Sequence, residues 1–173
     1  MIRQLAKQDF KQVQDLYKQL YKIHFVNRPD IFFDRHTMTA KYFEEIFDAE
    51  DKFCIVYEKD NKIVGVALCK INQLQPTVNL KPRTIYEIYE IVVQENERLN
   101  NIGHELFNYI ENLAIKNKID AVEVSVWSFN RPAINFYETL GMNAKKVTYE
   151  KLLNPEYCEK TQTTQIRITD KVI

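Results

Sequence analysis

The sequence predicts a mixed α/β fold, with β-rich and helical runs interleaved in the order βααβββαβαβ. Three observations carry that reading. Apolar residues switch between helical spacing and β-rich runs along the chain, and no internal repeat or low-complexity linker interrupts it. Its 173 residues also fit one compact domain, with enough chain to bury a proper core.

The elements follow in order. Ile2 to Leu5 reads as a short first strand. Asp9 is placed to cap an amphipathic helix whose Phe10, Val13, Leu16, Tyr17, Leu20 and Tyr21 fall at helical spacing and form a core stripe. The segment 24–32 (HFVNRPDIF) breaks that helix, because Pro29 fixes its own backbone and pushes Arg28 towards extended geometry. A second short helix is expected over 37–49, with Tyr42, Phe43, Ile46 and Phe47 inward. Residues 52–74 read as a hairpin about Asp60-Asn61, in which Gly65 marks a bulge or a close approach. After a loop with Pro76 and Pro82 come a strand over 84–93, the polar run QENERLNN, a helix from Ile102 and a strand over 121–127. A short helix over 130–140 ends at Gly141, and 145–153 is expected as a last core strand.

Composition narrows the classes. Lys+Arg and Asp+Glu balance at 24 each, without the basic excess that nucleic-acid binding usually needs. No apolar stretch approaches the roughly 20 residues that span a bilayer, and the first residues lack the apolar region of a signal peptide. Cys54, Cys69 and Cys158 have no pattern; the first two sit in apolar strands and read as buried reduced thiols, pointing to a cytoplasmic protein. His36 and His104 lack the partners a metal site requires.

Two segments carry chemistry. From Tyr89 to Leu106 a strand runs through a polar turn into a helix start. There unpaired N–H groups and the positive end of the helix dipole favour an anion. Arg98 enters just before that turn, where a guanidinium can hold a phosphate oxygen, and Gly103 removes a side chain where a phosphate chain would approach. In the stretch 124–142, Asn130 suits a helix cap, Pro132 the first turn and Gly141 the C-terminal stop. Tyr137 lies two turns into that helix, and a tyrosine hydroxyl, with an ordinary pKa of about 10, can donate a proton at neutral pH.

Together the segments resemble the GNAT acetyltransferase superfamily. Its loop signature, Arg/Gln-x-x-Gly-x-Gly/Ala, reads RLNNIG from Arg98 to Gly103. Its second signature, Asn-x-x-Ala-x-x-Phe-Tyr-x-x-x-Gly-Phe, reads NRPAINFYETLGM, with Asn130, Ala133, Phe136, Tyr137 and Gly141 in register and Met142 replacing phenylalanine. The resemblance runs to about Leu153 and implies a GNAT domain over 1–153. Asn101 stands where the family has glycine; asparagine tolerates left-handed backbone better than other residues, so the loop is expected to keep its shape.

The resemblance implies a mixed central sheet flanked by helices, whose fourth and fifth strands splay apart at a bulge in the fourth. It implies acetyl-CoA as co-substrate and an amine as acceptor, without a metal. Exposed backbone of Ile91, Val92 and Val93 would pair with the pantetheine arm, and Val92 or Val93 N–H would hold the thioester oxygen. Arg98, Leu99, Asn100, Asn101, Ile102, Gly103 and His104 would hold the phosphates, with Asn130 and Tyr137 also at the coenzyme. Glu90 is the first candidate for general base and Glu87 the second, with Tyr137 as proton donor to the departing thiolate.

Each assignment has a structural rival. Tyr137 can be a core aromatic, Asn130 a pure cap, Glu90 an ion-paired strand residue and Arg98 a solvated surface arginine. His24, near Arg28, Pro29 and Asp30 where the family builds its acceptor site, reads equally as a structural histidine. A module that binds acyl-CoA without catalysis is the competing function; a retained Tyr137 argues against it. The C-terminal extension, 154–173, has β propensity that suits an edge strand or a homodimer contact, with disorder as the other reading.

Overall fold

The structure is a computed structural model that describes residues 1–34 and 38–155. Its elements are β1 (Ile2–Gln4), α1 (Phe10–Asn27), α2 (Ala40–Asp48), β2 (Lys52–Lys59), β3 (Lys62–Leu74), β4 (Arg83–Val93), α3 (Ile102–Lys116), β5 (Ala121–Val124) and α4 (Arg131–Thr139). The five strands form one mixed sheet in sequence order, with every neighbouring pair antiparallel except the parallel β4–β5 pair. The expected fold class is therefore the observed one.

The described chain packs as two compact units interleaved in sequence. One holds residues 1–19 with α2, β2, β3, β4, α3 and β5; the other holds the C-terminal part of α1 and the described residues from Val126 onward.

In the first unit, β2 and β3 turn through Asp60 and Asn61, at φ 50° and 59°. Two left-handed residues in succession define the tight hairpin turn whose twist matches its strands, and asparagine and aspartate tolerate that conformation well. All of Ile63–Cys69 is buried, which marks a strand covered on both faces. Gly65 is a close approach: a Cβ there would stand 3.0 Å from Ile102 and 3.1 Å from Leu106 at the start of α3. The first part of α1 is joined to the start of β3 by Gln12, which accepts the Ile63 N–H at 2.9 Å.

Several expectations shift. Asp9 does not cap α1. It ends a single 3-10 turn over Lys7–Asp9, accepts the Ala6 N–H at 2.8 Å and is almost fully buried against Arg3, whose guanidinium it meets at 2.7 Å. An aspartate at the third position of such a turn reaches back to the N–H preceding it, so the helix entry begins earlier than the apolar spacing suggested. The first helix continues to Asn27, ending where Pro29 forces Arg28 out of helical geometry. The second is capped by Thr39, which accepts from the Tyr42 N–H at 3.1 Å. β5 stops at Val124, short of 127.

Residues 145–153 are not a core strand among the described residues. Charged Lys145, Lys146, Glu150 and Lys151 leave the run largely exposed, and a strand exists only where a partner takes its backbone groups; no described strand does so. His36, and the extension beyond Pro155, fall outside the described residues. No described helix is long and apolar enough to cross a membrane.

Candidate functional site

The fourth strand loses one of its two partners midway. On its β3 side, Cys69 pairs with Ile88 and Leu68 with Glu90, so Tyr89 is an extra residue and the strand bulges there. On its other side the parallel pairing with β5 runs from Ile85–Ala121 to Ile88–Val124 and stops. Thus β4 continues through Glu90, Ile91, Val92 and Val93 with no described strand on that edge. The bulge and the end of pairing coincide. An edge of this kind is open to an extended ligand that brings its own donors and acceptors.

Beyond Val93 the chain turns towards α3. Gln94 N–H bonds the Val64 carbonyl at 2.9 Å, and Glu95 N–H bonds Gln19 of α1 at 3.0 Å. A 3-10 turn over Glu95–Glu97 follows. Glu97 pairs with Lys59 at 2.8 Å and accepts from Asn100 at 3.3 Å, which ties the loop to the end of β2. Arg98 is exposed; its Nε donates to the Val93 carbonyl at 3.3 Å, and its terminal nitrogens have no acceptor among the described residues. Leu99 and Asn101 both adopt positive φ, at 65° and 61°.

Asn101 immediately precedes α3, and its carbonyl accepts the Glu105 N–H at 2.9 Å. The left-handed position thus falls where the family resemblance has glycine. Ile102 is buried, anchoring the helix start under the loop, while Gly103 is half-buried and His104 exposed. Exposed chain before a helix N-terminus is the arrangement that favours a phosphate, because the first turn directs N–H groups outward.

Glu90 sits one residue past the bulge. Its Oε2 is buried without a hydrogen bond, and burial raises the carboxyl pKa above the usual range. Glu87 differs: it precedes the bulge, where β5 still pairs with β4, and it accepts from Asn72 at 2.6 Å. Of the two carboxylates, Glu90 lies on the part of β4 that β5 leaves unpaired and Glu87 on the paired part. The Cys54 and Cys69 thiols are buried, and burial pushes both up, Cys69 to about 12, so neither is an available nucleophile near neutral pH.

The second unit carries α4. Asn130 caps it, its side chain accepting the Ala133 N–H at 3.3 Å, and Pro132 occupies the first turn. Tyr137 is the buried residue of the helix, its ring 5.1 Å from that of Phe136. Its carbonyl accepts from both Leu140 and Met142, and Gly141 follows at φ 80°, so the helix stop is as expected. In the same unit His24 donates through Nδ1 to the Leu20 carbonyl, 2.9 Å away, and burial lowers its pKa. Its ring meets Phe32 and Phe129, and these in turn meet Trp127, against which Arg28 packs. Arg28 also pairs with Asp30 at 2.7 Å and Glu150 at 2.8 Å. These contacts fit the structural reading of His24.

The first unit thus brings Glu90, Ile91, Val92, Val93 and the whole run Arg98–His104 onto one continuous stretch of strand, loop and helix start. Asn130 and Tyr137 belong to the second unit. Tyr17 was expected as core, and its side chain is fully buried.

The Acetyltransferase (GNAT) family matches residues 12–142. An uncharacterised N-acetyltransferase of Methanocaldococcus jannaschii is 29% identical over 146 residues, 84% of this chain; the chain spans 62% of that relative's length. A protein of Bacillus halodurans, solved as a mutant, superposes with a TM-score of 0.86 at 28% identity, over 89% of this chain and 99% of the other. An aminoglycoside N-acetyltransferase solved in complex with CoA superposes with a TM-score of 0.64 at 16% identity, over 88% and 99% of the two chains, a likeness of fold alone.

Proposed function

The chain belongs to the GNAT acetyltransferase family, and on that premise we propose that it transfers the acetyl group of acetyl-CoA to a primary amine by direct attack in a ternary complex. The observation that carries the reading is the coincidence on β4: pairing with β5 ends at Ile88, Tyr89 bulges, and the free edge leads straight into the left-handed loop before α3.

The pantetheine arm would lie along Ile91–Val93 as an added strand, and the N–H of Val92 or Val93 would hold the thioester oxygen as charge builds on it. The phosphates would take the exposed start of α3, with Arg98 supplying charge and Leu99 to His104 supplying backbone and shape. Asn130 fixes the start of the helix that carries Tyr137.

A lysine-like amine near pH 7 is neutral in fewer than about one molecule in a thousand, so its proton must leave before the nitrogen can attack. Glu90, directly or through a water, accepts that proton; a base whose pKa is raised holds it more readily than an ordinary carboxylate. The nitrogen bonds the acetyl carbon, the carbon–sulfur bond breaks, Tyr137 protonates the leaving thiolate, and the second proton of the nitrogen passes through solvent to restore the Tyr137 hydroxyl. Products are the acetamide and free CoA. With the Cys54 and Cys69 thiols buried and protonated, neither of these two is an acetyl-carrying nucleophile.

The experiment is a thiol-release assay with acetyl-CoA against polyamines, amino acids, peptides and aminoglycosides, run beside calorimetric titration with acetyl-CoA alone. Aminoglycosides enter the panel because a protein of similar fold is named for acting on them. Amine-dependent release is the expected result. Binding without release from any amine favours the module that only binds acyl-CoA, and no binding at all overturns the reading.

A further inference from the structure

The loop that leads from β4 to α3 is exposed chain with one residue turned inward: among residues 95–101 only Glu97 is not exposed. Its Oε2 takes the Lys59 ammonium at 2.8 Å and the Asn100 side-chain amide at 3.3 Å. None of the backbone N–H groups from Leu99 to Gly103 has a backbone acceptor among the described residues, and Leu99 and Asn101 both hold positive φ. The Glu97 carboxylate thus ties to the sheet a segment whose own N–H groups stay open. Lys59 is the last residue of β2, and Tyr57, two residues before it, donates its hydroxyl to Glu105 in the first turn of α3 at 3.4 Å. This end of β2 therefore lies beside the helix start. The same carboxylate is an unfavourable neighbour for a polyanionic coenzyme. Lys59 holds the Glu97 carboxyl below the usual carboxylate range, so the group is charged at neutral pH. Left bare, that charge would repel phosphate. It would also compete for Arg98, the next residue, whose terminal nitrogens have no acceptor among the described residues.

We propose that Lys59 is a positioning residue for the coenzyme phosphates, acting through Glu97: it cancels the charge of the carboxylate that organises the loop, so that the loop offers an anion only its N–H groups and the Arg98 guanidinium. The proposal rests on the reading that the chain binds acetyl-CoA with its phosphates at the start of α3. Two features separate this role from simple stabilisation. The Lys59 side chain is 47% exposed and that of Glu97 19%, and an ion pair at the surface adds little to stability. Glu97 also needs no charge to hold Asn100, since the side-chain oxygen of a glutamine can accept the same bond.

The test titrates acetyl-CoA calorimetrically into wild type, Lys59→Met, Glu97→Gln and the double variant, at low and at raised ionic strength. Lys59→Met keeps most of the apolar stem and removes the charge. It is expected to weaken acetyl-CoA by about three- to tenfold at low salt, and the loss should shrink as salt screens the bare carboxylate. Adding Glu97→Gln to Lys59→Met is expected to bring affinity back to within about twofold of wild type, because the two changes act on one pair. Glu97→Gln alone is expected to bind acetyl-CoA as tightly as wild type or more so. If Lys59→Met binds as wild type does, Lys59 has no part in the site and the proposal is overturned. If it binds weakly and Glu97→Gln does not restore it, the pair is a structural strut, and the proposal is again overturned. A loss that salt leaves unchanged rejects it in the same way. Wild type that binds no acetyl-CoA at all overturns the underlying reading and the proposal with it, which tells that failure apart from a failure of Lys59 alone. Should Lys59→Met not fold, Lys59→Gln carries the same comparison.

Discussion

Glu90 on β4 stands in register with Leu68 on β3, one residue beyond the point where β4 bulges and its pairing with β5 ends. A carboxylate oxygen, Oε2, has thus been placed in the core without a hydrogen-bond partner. Such a placement costs stability whenever the group is charged.

That cost makes a prediction about pH. Because burial raises its pKa, Glu90 binds its proton more tightly in the folded chain than in the unfolded one. Stability therefore falls as pH climbs from the ordinary carboxylate range through the raised folded value, and the loss is constant above it. Glu90→Gln removes the charge and is expected to raise Tm at pH 7 to 8 while changing it little near pH 4. For a chain of this size each 1 kcal/mol would appear as about 2–4 °C. Thermal denaturation across that range checks it; a gain independent of pH would mean that ionisation of Glu90 is not the cause.

Asn101 tests the loop. Its φ of 61° is left-handed, and its side chain makes no capping bond, so the residue is retained for backbone tolerance rather than for a contact. Asn101→Gly is expected to leave Tm unchanged or slightly raised and acetyl-CoA affinity intact. Asn101→Val should cost about 1–2 kcal/mol, the penalty of forcing a side chain into that region, and weaken the coenzyme. Calorimetry with acetyl-CoA and thermal denaturation on both variants decide it. Equal losses in the two would show that the side chain, not the backbone, is what the loop requires.

Gly65 links the sheet to the same loop from below. A methyl group there would press on buried Ile102 and Leu106 at 3.0 and 3.1 Å, and on the Cβ of Tyr57 at 3.3 Å. Ile102 opens α3, so relief of the clash must displace the helix start. Gly65→Ala is expected to cost about 1–3 kcal/mol and to weaken acetyl-CoA together with stability. Lost stability with unchanged coenzyme affinity would uncouple β3 from the phosphate loop.

What the sequence disclosed follows from how local each signal is. The turn at Asp60-Asn61, the helix between Asn130 and Gly141, and the loop from Arg98 to Gly103 are set by residues adjacent in sequence, and their geometry appears as expected. The Tyr89 bulge was expected on family grounds, but its position is fixed by the register against Leu68 and Cys69, which lies in another strand. Asp9 looked like a cap because the pairing that buries it, with Arg3 of β1, is a tertiary one. The run 145–153 shows the converse: β propensity does not make a core strand without a partner to take its backbone.

Tyr137 offers the sharpest separation of packing from chemistry. It is the buried residue of α4, so a phenylalanine would preserve the ring and its contact with Phe136. It would also preserve the backbone carbonyl that accepts from Leu140 and Met142, so the helix end should stay closed. Tyr137→Phe is therefore expected to change stability by about 1 kcal/mol or less, the net worth of a typical hydrogen bond. If the hydroxyl delivers the proton to the CoA thiolate, turnover should fall by about 10²-fold or more while acetyl-CoA affinity stays nearly the same. Steady-state kinetics with the acceptor found in the thiol-release assay, beside calorimetry and thermal denaturation, reads all three quantities. Turnover that survives in a stable, acetyl-CoA-binding variant would return Tyr137 to the core and hand the proton to solvent. A variant that binds acetyl-CoA and folds as before but scarcely turns over would fix the hydroxyl as the donor, since nothing else about the residue has been removed.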